Sequence, residues 1–103
     1  MTEPTLLISG EIHIDPADFD AAVALIEPLV AGTRAEAGCI EYDFWVDPRD
    51  HGRIRVFEEW EDQETNDAHA HSEHYLSFLA QMTNITVKSV ELFRYAVTGK
   101  GPL

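Results

Sequence analysis

Basic residues are scarce in this chain. Seven Lys and Arg stand against nineteen Asp and Glu, giving a formal charge of -12 over 103 residues. Such a molecule repels phosphate backbones and anionic bilayers, which argues against nucleic acid and membrane surfaces as partners; the acidity itself reads as a solubilising surface. Cysteine is almost absent. Cys39 alone cannot form an internal disulfide, and within CIEYDFWV it reads as a half-buried thiol rather than a nucleophile. No apolar run approaches the ~20 residues of a membrane-spanning helix. The opening MTEPTLLISG lacks the basic region and apolar core of a signal peptide, so the expected location is the cytoplasm. No low-complexity stretch or linker divides the sequence. Residues 1–103 are therefore expected to form one domain, with 98–103 a loosely held tail.

What is present concentrates in residues 57–75, FEEWEDQETNDAHAHSEHY, where a strand runs into a helix. Ile54, Val56, Glu58 and Trp60 alternate onto one strand face, with Arg55, Phe57 and Glu59 on the other. Asp62 is placed to cap the helix, with Glu64 in its first turn. The period then becomes helical. Thr65, Ala68, Ser72, Tyr75, Leu76, Leu79 and Met82 are expected to form the packed face, with Asn66, Asp67 and Glu73 outward.

Upstream, residues 5–14 alternate as a first strand, and Gly10 offers a side-chain-free position for close packing or a ligand. DPAD then starts a helix that Pro28 should kink or interrupt and that runs out near 36–38. A second strand at 39–46 turns Ile40, Tyr42, Phe44 and Val46 to one side and Glu41, Asp43 and Trp45 to the other. Residues 47–52 form a turn into the third strand, and 85–97 form a fourth. The order predicts a ferredoxin-like βαββαβ domain of the α+β class, with two helices on one face of an antiparallel sheet. Leu7, Trp45, Phe57, Val90 and Leu92 would lie on the uncovered face, amid Glu11, Glu41, Asp43, Arg55, Glu59 and Arg94. That is too much apolar area for water, and a homodimer with facing sheets is expected.

Gly10, the AGCIEYDFWVDP segment and FEEWEDQETNDAHAHSEHYLSF together make the whole chain resemble the antibiotic biosynthesis monooxygenase family, dimeric α/β-barrel proteins that include quinol and anthrone monooxygenases. The resemblance implies oxidation of a small aromatic quinol, phenol or anthrone-like substrate by dioxygen, with no cofactor and no metal. It implies the fold more firmly than the substrate, because relatives also degrade haem or isomerise sugar phosphates. The haem-degrading branch's asparagine, tryptophan and histidine are replaced here by Ser9 and Gly10, His69 and Leu79. Val56 stands where the anthrone-oxidising branch has asparagine, and no glycine-rich phosphate loop is present.

Cofactor-free oxygenation requires a flat apolar pocket and a base that ionises the substrate. Phe19, Phe44, Trp60, Tyr75 and Phe78 are candidate walls, or simply core aromatics. His69 is the first candidate base, His74 the second, and His71 is given no role. Glu58 shares the Trp60 face, where burial would raise its pKa. His71 and His74 with His51 or an acid could gather a metal, but they match no metal-binding spacing. The competing readings are a non-catalytic dimer that binds a small ligand and an isomerase of a small carbonyl compound.

Overall fold

The computed structural model describes residues 5–103; residues 1–4, part of the expected 1–103 domain, lie outside it. Alternation over TLLISGEIHI produces β1 (Thr5–Ile14), which buries Leu6, Ile12 and Ile14. The Asp15 carboxylate accepts the Ala17 amide and, with Pro16, opens a 3-10 turn, Pro16–Asp18, leading into α1 (Phe19–Arg34). Pro28 does not interrupt α1 as expected. Pro28 and Ala24, whose carbonyl loses its helical donor, are both exposed.

β2 (Cys39–Asp47) and β3 (Asp50–Trp60) form a hairpin tighter than the expected 47–52 linker, closed where the Asp47 carboxylate accepts the Arg49 amide at 2.8 Å. The register shifts between Cys39 and Glu41, so Ile40 bulges out and is 44% exposed instead of facing inward. After β3 come α2 (Gln63–His69), α3 (Glu73–Gln81), a 3-10 turn at Met82–Asn84, and β4 (Val87–Val97). The four strands form one antiparallel sheet in the order β2-β3-β1-β4. With the helices packed on one face, this is the expected ferredoxin-like α+β fold. No described helix is long and apolar enough to cross a membrane.

Two apolar clusters lie between sheet and helices. One gathers Leu6, Leu29, Val30, Tyr42, Trp60 and Phe78, and the other Ile12, Ile14, Ala22, Ile54, Val56 and Ile85. Trp60 is fully buried, and truncating such a ring removes about 3–5 kcal/mol. Ile85, expected to begin the last strand, instead plugs the second cluster ahead of it.

β4 corrects the expected face assignment. Gly10 pairs with Leu92, Ile12 with Val90 and Ile8 with Arg94, so these three β4 residues face the helix layer. Both parities of VKSVELFRYAV carry apolar groups, and alternation alone could not choose between them. The open face carries Leu7, Trp45, Phe57, Phe93 and Tyr95 instead. Glu11 there receives Arg53 at 2.6 Å and His13 at 2.9 Å, which holds its carboxyl down at about 2. Residues 98–103 have no regular structure, yet Lys100 reaches Glu59 at 3.2 Å.

Gly10 marks the closest approach of β4. A Cβ there would collide with the Glu91 carbonyl, so the missing side chain admits backbone rather than a ligand. Gly10→Ala is expected to cost about 1–3 kcal/mol, the range for overpacking. Urea unfolding measures this, and an unchanged midpoint would show that β4 retreats freely.

Candidate active site

The expected second helix is two helices, and the break builds the site. Asp62 caps α2 by accepting the Thr65 amide at 2.8 Å. After His69 the chain turns. The Ser72 hydroxyl donates to the His69 carbonyl at 2.7 Å and accepts the Tyr75 amide at 3.4 Å, capping α3. In one continuous helix, residues 69 and 74 would lie about 140° apart around the axis. The break lets both rings meet Glu36, in the loop between α1 and β2. Its Oε2 lies 2.7 Å from His69 Nδ1 and 2.7 Å from His74 Nε2.

His69 is buried, with ring centroids of Tyr75 at 4.7 Å, Trp60 at 5.1 Å and Tyr42 at 5.2 Å. Its Nε2 is buried without a hydrogen-bond partner. The residue helps line a cavity of about 300 Å³ with Ile8, Glu58, Asn66, Tyr75 and Arg94. An apolar cavity of about 210 Å³ adjoins it, walled by Tyr42, Phe44, Phe78, Leu79 and Met82. Glu58, Tyr75 and Leu92 line both, which makes one cleft between the sheet and α3. A larger groove of about 490 Å³ lies on the open sheet face, among Ser9, Glu11, Arg55, Phe93 and Tyr95. It is wide and charged, and the buried histidine is not in its wall.

Glu58 sits on the inner face as the alternation predicts, and accepts the Trp60 Nε1–H at 3.0 Å. Burial pushes its carboxyl above the ordinary 4.5, while Trp60 and His69 restrain the rise. Burial, and then the Glu58 charge, raise the Tyr42 and Tyr75 phenols. Cys39 also titrates higher through burial and the Glu36 and Glu58 carboxylates, as befits an inert thiol.

Phe44, Tyr75, Phe78, Glu58 and His69 therefore meet in the cleft as expected. Trp60 does not line it: fully buried, the indole stands behind Glu58 and His69. Phe19 is elsewhere, stacked on His51 at 4.5 Å beside the β2–β3 turn. His74 lines neither cavity; its Nε2 meets Glu36. Ala68 is exposed and Asn66 buried, a rotation of the expected helical face; the 66/69 spacing was the available signal. Glu36, Tyr42 and Arg94 were missed. His71 is exposed and has no part in the site.

Ligand atoms of Glu36, His69 and His74 lie within 4.8 Å of one another, close enough for a metal ion, whereas His51 and His71 do not join them. A metal on His69 Nδ1 would leave a buried Nε2–H with no acceptor, although ligating histidines normally donate that proton. The atoms that face one another, Glu36 Oε2, His69 Nδ1 and His74 Nε2, are already paired as hydrogen bonds.

The site is thus an aromatic cleft on a ferredoxin-like sheet, with a buried histidine among its lining residues. The chain belongs to the antibiotic biosynthesis monooxygenase family, whose sequence model matches residues 5–81. It is 33% identical over its full length to the "Putative monooxygenase Rv0793" of Mycobacterium tuberculosis, covering 95% of that protein. It is 24% identical over 89% of its length to the uncharacterized protein sll1783 of Synechocystis, of which it spans 63%. The crystal structure of PA3566 from Pseudomonas aeruginosa matches with a TM-score of 0.82 at 29% identity, over 96% of this chain and 98% of that one.

Folded Glu58 binds its proton more tightly than the unfolded chain does. Its contribution to stability is thus full below the ordinary carboxyl pKa near 4.5 and is lost as pH rises through the raised folded value. Glu58→Gln, which keeps an acceptor for Trp60, is expected to flatten that fall. Denaturation midpoints taken between about pH 4 and 8 measure it, and parallel profiles for the two proteins would refute it.

Proposed function

We propose that the chain is a cofactor-independent monooxygenase of small aromatic substrates, quinol, phenol or anthrone-like, working with dioxygen as a cytoplasmic homodimer. The observation that carries this reading is a histidine in the wall of the aromatic cleft, His69, whose Nε2 is buried without a hydrogen-bond partner. A buried ring nitrogen with no donor beside it is a base awaiting a proton. Tyr42, Phe44 and Phe78 offer flat apolar walls, and Arg94, which lines the adjoining cavity, is a cation available to a ring oxyanion. The imidazolium formed is balanced by Glu36 and enclosed by Tyr42, Trp60 and Tyr75. The substrate anion then reduces dioxygen. For an anthrone, a ring methylene becomes a carbonyl and the second oxygen atom leaves as water.

The homodimer reading is supported by the open face, where Trp45 is 56%, Phe93 57% and Tyr95 50% exposed. Two copies meeting face to face would bury these rings and the charged groove between them.

Oxygen uptake with a panel of reduced naphthoquinols and anthrones, with a chelator present and autoxidation subtracted, tests the activity. Protein-dependent uptake is expected to drop about 10²–10⁴-fold in His69→Ala, the usual contribution of a general base. Uptake at the autoxidation rate throughout would favour a ligand-binding module. Sedimentation is expected to give a dimer that Phe93→Asp dissociates; a monomeric wild-type protein would refute the assembly.

A further inference from the structure

We infer that Glu36 and His74 are positioning residues for His69. They hold its imidazole as the Nδ1–H tautomer and so keep the buried Nε2 free of a proton, an inference that rests on the reading of His69 as the base. Glu36 Oε2 stands 2.7 Å from a nitrogen of each ring. A carboxylate only accepts, so each ring turns an N–H toward it. A proton on Nδ1 leaves the lone pair of neutral His69 on Nε2, the atom buried without a partner. The opposite tautomer would bury an unsatisfied N–H and set a lone pair against the carboxylate.

His74 supplies the second bond. By donating to the same oxygen it fixes the carboxylate in place to receive the His69 N–H. Side-chain exposure rises from 5% at His69 to 16% at Glu36 and 27% at His74, so the outer ring screens the inner pair from water. The backbone is shaped to this arrangement. A Cβ on Gly32 would stand 2.7 Å from His74 Cγ, and the bare backbone of α1 makes room for the ring. Glu36 is fixed by its amide donating to the Thr33 carbonyl at 3.0 Å and its carbonyl accepting the Cys39 amide at 3.3 Å. Gly38, at φ +82°, completes the turn in a conformation disfavoured for other residues and packs against Thr65 of α2. Loop, α1, α2 and α3 thus converge on one hydrogen bond.

Long-range ¹H–¹⁵N correlation spectra of the histidine rings test this, with His69 assigned by its loss in His69→Gln. The wild-type protein is expected to show neutral His69 protonated on Nδ1. In Glu36→Gln the amide both donates and accepts, and a substantial Nε2–H population is expected. Gly32→Ala displaces His74 while leaving Glu36 and His69 intact, and a smaller shift in the same direction is expected. With an accepted substrate, Glu36→Gln is expected to lower kcat on the order of 10–10²-fold at unchanged KM, a loss within the contribution of a base. An Nε2–H tautomer in the wild-type protein, or the same tautomer in wild type and Glu36→Gln, would overturn the role of Glu36. An unaltered tautomer ratio in Gly32→Ala and His74→Phe would overturn that of His74. Absence of oxygen uptake with every substrate would sink the monooxygenase reading alone, since the ring spectra are read without turnover.

Discussion

One carboxylate oxygen, Oε2 of Glu36, joins the segment before β2 to both helices after β3. Hydrogen bonds to an ionised acceptor contribute about 1.5–3 kcal/mol each, so two at one partly buried oxygen outweigh the surface ion pairs of this chain. Their geometry governs what surrounds them. The rings reach a common point only if the helix breaks between them, and Ser72 supplies the cap that makes the break tolerable. Gly32 and Gly38 clear the space. The cleft takes His69 into its wall, and the nitrogen of that ring not turned to the carboxylate stays buried without a partner.

Much of the fold was legible because each strand of the β2–β3 hairpin is mostly apolar on one parity and the first two helix starts have local caps. Asp15 with Pro16, and Asp62 with Glu64, act within a few residues of themselves and read directly from sequence. The break in the second helix was harder. Ser72 is a good cap, but an apolar stripe that continues through it masks the interruption. Residues 39–42 lost their simple alternation to a bulge, which no residue type there announces. β4 could not be oriented because Val90 and Leu92 compete with Phe93 and Tyr95 for the inner face.

The site was legible in part for a similar reason. His69, Tyr75, Phe78 and Glu58 are placed by local period, and local period is what a sequence displays. Glu36 lies 33 positions from His69, among several acids with nothing to distinguish it. Only the tertiary fold, which brings the α1–β2 loop against α2 and α3, gives it partners. Phe19 shows the converse, an aromatic at sound helical spacing whose helix begins too far from the cleft to reach it. Trp60 belongs to the site through its indole N–H, which holds Glu58, and its ring takes up core volume rather than cleft wall.

The rise in the Cys39 pKa has a bearing on durability. A sulfur reacts with oxidants through its thiolate, and burial together with two neighbouring carboxylates keeps that form scarce. The chain's lone sulfhydryl can therefore sit beside the core of a cleft proposed to handle dioxygen and peroxidic by-products while resisting conversion to sulfenic acid. Ageing of the protein by oxidation would then begin at its thioethers, Met1 and Met82, of which Met82 forms part of the cleft wall itself.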